Sequence, residues 1–222
     1  MKTSRILFIS YFSTIGLFLM GLTIMGFAYN DKSSDDFQRD HYEEISENLQ
    51  AFSHINIEKD CDVWITKGDG SYFTYNIKNA EEHVKPVFDV RNDTLFIQNV
   101  SRPITIHFNE LKSISGHKCE VGLNSFELSK LAVHMKQAEL KIGNDVTISS
   151  LDVVLKESST VRAWGFNTEK LSLRVDDSQF MAGSNRKLDL VKGIIRNNST
   201  IRINAAKSIQ LDLDESSQLE MR

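Results

Sequence analysis

One short pattern recurs through the last third of the chain and limits its fold more than any other feature. Leu131-Ala-Val-His-Met135, Leu151-Asp-Val-Val-Leu155, Leu171-Ser-Leu-Arg-Val175 and Ile209-Gln-Leu-Asp-Leu213 each alternate apolar and polar residues, as a strand with one buried face does. A short polar turn follows each, and second apolar strands begin at Leu140, Val161, Phe180 and Leu219. The first three starts, at 131, 151 and 171, are twenty residues apart. Self-similarity at that step is the mark of a solenoid.

A single coil of this kind buries too few side chains to offset the entropy of ordering its backbone. Stacked coils share ladder hydrogen bonds and cover one another's inner faces, so only an array is stable. Two short strands per coil fit a parallel β-helix; an antiparallel sandwich is the rival. The turns favour stacking. Lys156-Glu-Ser-Ser-Thr160, Asp176-Asp-Ser-Gln179, Arg196-Asn-Asn-Ser-Thr200 and Asp214-Glu-Ser-Ser-Gln218 each carry Ser near the centre, where a hydroxyl can bond the local backbone. In register, Lys136, Lys156, Asp176, Arg196 and Asp214 would form one exposed row whose last three members alternate in sign. Lys136 beside Lys156 has no explanation at this level.

Upstream the alternation is less regular. Phe52, Ile55 and Ile57, then Cys61, Val63 and Ile65, read as strands, and Lys67-Gly-Asp-Gly70 as a hairpin-type turn into Tyr72–Ile77. Asn79–Val84 reads as a helical or looped excursion. Val87–Val90, the turn Arg91-Asn-Asp93 and Leu95–Ile97 read as a hairpin, followed by a strand at Ile104–Phe108. From Leu111 the twenty-residue rhythm begins, with Leu111 and Leu131 one step apart.

Ile6–Phe27 carries no charge, and as a helix it would span roughly 33 Å, enough for a hydrocarbon core of about 30 Å. Lys2 and Arg5 precede it and Asp31, Asp35 and Asp36 follow, so the positive-inside rule places the residues after Tyr29 outside the membrane. Two readings stand. Gly26-Phe-Ala28 is an acceptable cleavage site for a signal peptide, while an uncleaved anchor fits the length of the apolar run better. No Cys follows the run, which disfavours a lipoprotein. The expected organisation is an anchor or signal segment at 1–28, an acidic linker at 29–50 with a short helical stretch near His41–Leu49, and a β-helical domain at 51–222.

With a net charge of -4 and a pI near 5.9, the chain lacks the basic stripe nucleic-acid binding needs. His41, His54, His83, His107, His117 and His134 are scattered and pair with no ligand-spaced Cys or carboxylate, so no metal site is expected. No Gly-x-Ser-x-Gly elbow or phosphate-binding Gly pattern occurs. No catalytic, cofactor-binding or metal-binding residue is assigned, and no cofactor is expected. The carboxylates Asp176, Asp177, Asp212 and Asp214 could converge on adjacent coils to bind a cation or act on a sugar; as solvated turn and outward-face residues they need no such role. Trp164 is the one candidate sugar platform, and the plainer expectation is that it caps a strand or packs in the core. Cys61 and Cys119 share the inward parity of their strands; two buried thiols are the expected state, with a disulfide as the alternative.

These residues resemble a known family. Phe52-Ser-His-Ile-Asn-Ile57, Cys61-Asp-Val-Trp-Ile-Thr-Lys-Gly68, Asn92-Asp-Thr-Leu-Phe-Ile97 and the repeated Leu-x-Leu coils with Ser-rich turns resemble the bacterial head-GIN domain, the head domain of auto-transporter adhesins. The resemblance covers about Ala51 to Arg222. It departs where turns that are commonly Gly-rich in the family carry Ser, Asn and Asp, as in Glu157-Ser-Ser159 and Asn197-Asn-Ser199. It implies an all-β, right-handed parallel β-helix behind a signal or anchor, working as an envelope or adhesion-like module. The expected function is therefore a non-enzymatic binding protein of the bacterial envelope, in the periplasm or at the cell surface. Its expected partners are the membrane, through Ile6–Phe27, and an envelope protein or glycan, with no nucleic acid. The alternative is a carboxylate-dependent polysaccharide lyase or hydrolase on the same scaffold. A sensory ectodomain is disfavoured by the five residues that precede Ile6.

Overall fold

The alternating segments fold into two sheets that exchange the chain at every turn. The structure, a computed structural model, describes residues 43–77, 87–98, 100, 103–183 and 188–221. The expected membrane segment, most of the acidic linker and the Asn79–Val84 excursion lie outside these residues. The strands are β1 (Glu43–Asn48), β2 (His54–Glu58), β3 (Asp62–Lys67), β4 (Tyr72–Ile77), β5 (Val87–Arg91), β6 (Thr94–Gln98), β7 (Ile104–Phe108), β8 (Ser113–His117), β9 (Glu120–Asn124) and β10 (Glu127–Lys136). They continue as β11 (Glu139–Ile142), β12 (Thr147–Lys156), β13 (Thr160–Trp164), β14 (Asn167–Asp176), β15 (Gln179–Gly183), β16 (Leu188–Arg196), β17 (Thr200–Ile203), β18 (Ala206–Leu213) and β19 (Gln218–Met221).

Ten strands form one sheet in the order β1-β4-β7-β3-β9-β11-β13-β15-β17-β19, and nine form the other in the order β18-β16-β14-β12-β10-β8-β2-β6-β5. From β8 onward each coil lays one strand in each sheet, parallel to its predecessor. The architecture is an all-β solenoid, and the sandwich is excluded by the parallel ladders. The step is not uniform: Ile114, Val133, Val153, Leu173, Gly193 and Leu211 stack in register. Leu131 therefore stands one position off the expected match to Leu111.

The first coils do not stack in chain order. β6 pairs with β2, and β7 with β3, both in parallel, while β8 and β9 pair with β2 and β3 on their other edges. The coil of β2 and β3 is thus enclosed between two coils that follow it in sequence. The expected turn at Lys67–Gly70 does not join a hairpin, because β7 lies between β3 and β4; neither Gly68 nor Gly70 has a positive φ. The hairpin of β5 and β6 does form, with Asn92 and Asp93 at φ 51° and 60°, the left-handed pair a type I′ turn requires. The short helix expected near His41–Leu49 is instead strand β1, antiparallel to β4, since the sheet edge it completes outweighs local helix preference. At this end both sheets finish on antiparallel strands, β1 and β5.

The core is a set of vertical columns. One runs Val63, Val121, Leu140, Val161, Phe180, Ile201 and Leu219; all but Leu219 are fully buried. Phe126, Val146 and Phe166, one step apart, fill the corner beside it and are likewise buried. In the other sheet, Gly193 interrupts an aliphatic column between Leu173 and Leu211. A Cβ on Gly193 would lie 2.0 Å from the carbonyl oxygen of Leu173, so only glycine fits there.

The turns expected from their serines form a second ladder at the corner between the sheets. Cys61, Cys119, Ala138, Ser159, Ser178, Ser199 and Ser217 occupy it in successive coils. The backbone runs straight through it: Glu120 N–H donates to Cys61, Glu139 to Cys119, Thr160 to Ala138, Gln179 to Ser159 and Gln218 to Ser199, all at 2.9 Å. Side chains continue it. The Ala138, Ser159, Ser178 and Ser199 amides donate to the hydroxyls of Ser159, Ser178, Ser199 and Ser217 at 3.3, 3.1, 3.2 and 3.3 Å. Ser159 and Ser178 Oγ in turn donate to the Lys156 and Asp176 carbonyls at 2.6 and 2.8 Å. Just before the column, Lys118, Gln137, Glu157, Asp177 and Asn197 all have φ between 45° and 56°. Those left-handed residues cost about 1–2 kcal/mol each; coil-to-coil bonds such as Lys118 N–H to Lys136 O, 3.1 Å, and Gln137 N–H to Lys156 O, 3.2 Å, hold them.

Candidate functional site

With the interior filled by columns, any site among the described residues lies on an outer face. The ten-stranded sheet carries one outward row of Thr105, Trp64, Gly122, Lys141, Arg162, Met181, Arg202 and Glu220, in that spatial order. Beside it runs a second: Asp62, Glu120, Glu139, Thr160, Gln179, Thr200 and Gln218. The cations are neutralised between strands. Lys141 pairs with Glu120, Arg162 with Glu139, and Arg202 Nη2 with Glu220 at 2.6 Å.

Two indoles stand on this face. Trp64 is 36% exposed and Trp164 48%; Trp164 does end its strand, as one expectation had it, but it does not enter the core. Each lies over a glycine of the next strand: a Cβ on Gly122 would be 2.3 Å from Trp64 Cε3, and one on Gly183 would be 2.5 Å from Trp164 Cε3. The missing side chains let both rings lie against the sheet. Trp64 was overlooked in the sequence, although its parity between the buried Val63 and Ile65 marks it as outward. Tyr72 and His107 stack at 4.4 Å nearby in the same sheet.

Asp62, two residues before Trp64, has a buried Oδ1 without a hydrogen-bond partner. Burial and the adjacent Glu120 raise its pKa, against Lys141, which lowers it. It is a better placed acid than any carboxylate suggested by the sequence. Of those, Asp212 is paired to Arg196 at 2.5 Å, Asp176 accepts a 2.5 Å bond from Asn197 Nδ2, and Asp177 accepts from Ser158 Oγ at 3.4 Å. Asp214 is held down to about 2 by the Ser217 hydroxyl and the Asn197 amide, which leaves it unable to donate a proton near neutrality.

The expected charge row exists on the nine-stranded sheet, with Lys136 beside Lys156 and Asp176 beside Arg196. Its ion pairs run diagonally. Lys136 reaches Glu157 at 2.9 Å, which removes the conflict with Lys156, and Arg196 turns to Asp212 rather than to Asp176 or Asp214. Cys61 and Cys119 are both thiols, neighbours in the corner column. Burial, with Cys61 alongside, pushes Cys119 up to about 12, an unreactive state. Among the described residues no three His, Cys, Asp or Glu side chains are grouped as metal ligands would be.

These shifts predict a two-stage loss of stability in acid. Burial lowers the pKa of His107 against the opposing charge of Glu44, so the unfolded chain binds this proton more readily. Stability is full above about pH 6.5 and declines as the pH falls through that value. Asp93, bonded to Ser53, Asp145, bonded to Ser125, and Asp214 are all lowered; their contributions persist above about pH 4 and are lost below it. Urea melts from pH 8 to 3 should show both declines, and His107→Gln should remove the first alone.

No protein-family model matches the chain, and no curated protein matches it in sequence. Several solved structures align with the chain. A "putative adhesin" from Bacteroides fragilis aligns with TM-score 0.61 at 12% identity, covering 82% of this chain and 97% of its own. A "putative adhesin" from Parabacteroides merdae gives 0.49 at 10%, covering 82% and 96%; one from Parabacteroides distasonis gives 0.44 at 12%, covering 82% and 97%. At 12% identity and TM-score 0.61, the first of these shows a shared fold.

Proposed function

We propose that this chain is a head-GIN-like module of a bacterial envelope, anchored through Ile6–Phe27 with its right-handed solenoid outside the membrane, that binds a partner without turning it over. The observation that carries this reading is the outer face of the ten-stranded sheet. It presents repeated, charge-neutralised rows and two exposed indoles, an arrangement suited to additive contact along several coils. The Bacteroides fragilis neighbour, described as an adhesin-type protein, supports the same reading.

Fractionation of a bacterium expressing the full chain tests it. The chain should stay with membranes through carbonate washing, and an amine reagent that cannot cross membranes should label Lys141 and Lys207 in intact or outer-membrane-permeabilised cells. A carbonate-soluble, unlabelled chain would contradict the proposal. One observation favours a second reading: Asp62, with its raised pKa, adjoins Glu120 and Trp64, a carboxyl pair beside an aromatic ring of the kind glycoside hydrolysis uses. Release of reducing ends from a polysaccharide, lost in Asp62→Asn, would establish that reading instead.

A further inference from the structure

The two tryptophans share a construction that core packing does not require. Side chains on a sheet normally stand away from it. Here both indoles lie down, each in the gap left by a glycine on the following strand, and each keeps an exposed face. Their attachment points are three strand spacings and two residues apart, roughly 16 Å from spacings of about 4.8 and 3.3 Å. Between them, on β3 and β9, lie the paired Thr66 and Asn124, and Thr160 opens the strand that ends on Trp164, neutral side chains that both donate and accept hydrogen bonds. A pyranose ring has this chemistry in complement: an apolar face of C–H bonds that stacks on an aromatic plane, and a rim of hydroxyls.

The charges on the face select among glycans. Lys141, Arg162 and Arg202 stand against Asp62, Glu120, Glu139 and Glu220, three cations and four carboxylates, and each cation is paired to a glutamate. Among the described residues of these two rows no cation is left over for a uronate or sulfate, and an acidic chain would meet net repulsion.

Resting on the binding reading above, we infer that the outer face of the ten-stranded sheet, from Trp64 to Trp164, binds a neutral oligosaccharide or polysaccharide laid across the strands. The two indoles are the stacking platforms, and Thr66, Asn124 and Thr160 are the hydrogen-bonding rim.

Trp64 and Trp164 are the chain's two tryptophans, so intrinsic fluorescence reads these sites alone. The full chain, in lipid discs bounded by an aliphatic polymer so that no other indole contributes, is titrated with cellohexaose, xylohexaose, mannohexaose and, as the acidic comparator, hexagalacturonate. At least one neutral hexaose should shift the emission saturably. Trp64→Ala and Trp164→Ala should each weaken binding about tenfold or more, a loss in the range measured for base stacking on aromatic side chains. Trp164→Phe, which keeps a smaller ring over Gly183, should lose clearly less than Trp164→Ala, and Arg174→Ala on the opposite sheet should stay at the parent value. Circular dichroism of each variant separates lost binding from lost fold; should the alanine variants not fold, Trp164→Phe and Trp64→Phe carry the test, through a graded loss in affinity.

Saturation by none of the neutral hexaoses, tighter binding of hexagalacturonate, or unchanged affinity in folded Ala variants would overturn the inference. If the chain is nonetheless labelled outside the membrane, the envelope reading survives with a different partner. A cytoplasmic chain overturns that reading itself.

Discussion

Gly193→Ala should lower the stability of the solenoid by about 3 kcal/mol or more, roughly a 10 °C fall in melting temperature for a domain of this size. The added methyl would sit 2.0 Å from the Leu173 carbonyl oxygen and 2.8 Å from its carbon. Both are backbone atoms of the neighbouring strand, so the two coils must separate or shear. Gly122→Ala is the informative contrast. There the atoms nearest the Cβ all belong to the Trp64 ring, the first at 2.3 Å, and an exposed side chain can swing aside, so a clearly smaller loss is expected. Thermal melts followed by circular dichroism compare the two. Equal melting temperatures for Gly193→Ala and the parent would show that the coil of β16 does not lie against β14 as described.

Removing one hydroxyl from the corner column should be nearly as damaging. Ser178→Ala leaves the Ser159 N–H, bonded at 3.1 Å, without its acceptor and the Asp176 carbonyl, bonded at 2.8 Å, without its donor. Ser159 is fully buried, so the orphaned amide has no water to turn to, and a cost of about 2–3 kcal/mol follows. Ser178→Thr keeps the hydroxyl and should recover most of it. Hydrogen exchange adds a local readout: the Ser159 amide should exchange faster in Ser178→Ala, while the Val63 amide in the distant coil of β2 and β3 should not. A loss below about 0.5 kcal/mol would mean that these hydroxyls do not form a ladder.

How far the fold was legible depended on whether neighbours in sequence became neighbours in space. The coils from β10 to β15 were readable because strand, turn and strand recur at twenty residues, and each coil stacks on the one before. The Ser-centred turns were readable for the same reason, down to the vertical alignment of Ser159, Ser178 and Ser199. The coil of β16 escaped the Leu-x-Leu pattern because Gly193 stands where Leu173 and Leu211 are. The placement of β6 and β7 outside β2 and β3 was not readable at all. Ile104–Phe108 alternates like any strand, and nothing local says that its partner is Val63–Lys67 rather than Tyr72–Ile77.

Charges showed the same division. The row through Lys136, Lys156, Asp176 and Arg196 was visible, but which partner each side chain reaches depends on Glu157 and Asp212 one position away. The candidate site was half legible. For Trp164 the sequence allowed both a strand end, which it occupies, and the core, which it does not, since alternation gives the side a residue faces but not whether a neighbour's side chain covers it. Gly183 and Gly122, which determine that, lie 19 and 58 residues from their tryptophans.

The order in which coils stack underlies both the fold and the binding face, and pulsed electron–electron distances test it directly. In a Cys61→Ser, Cys119→Ser background, spin labels are placed at Arg196 and at either Glu58 or Gln98. Register carries Gln98, Glu58, His117, Lys136, Lys156, Asp176 and Arg196 along one row. At about 4.8 Å per strand, Glu58 should lie roughly 24 Å from Arg196 and Gln98 roughly 29 Å, although Gln98 is forty residues nearer in sequence. The predicted result is the longer distance for Gln98; the opposite order, or two equal distances, would contradict the stacking on which both the fold and the proposed binding face depend.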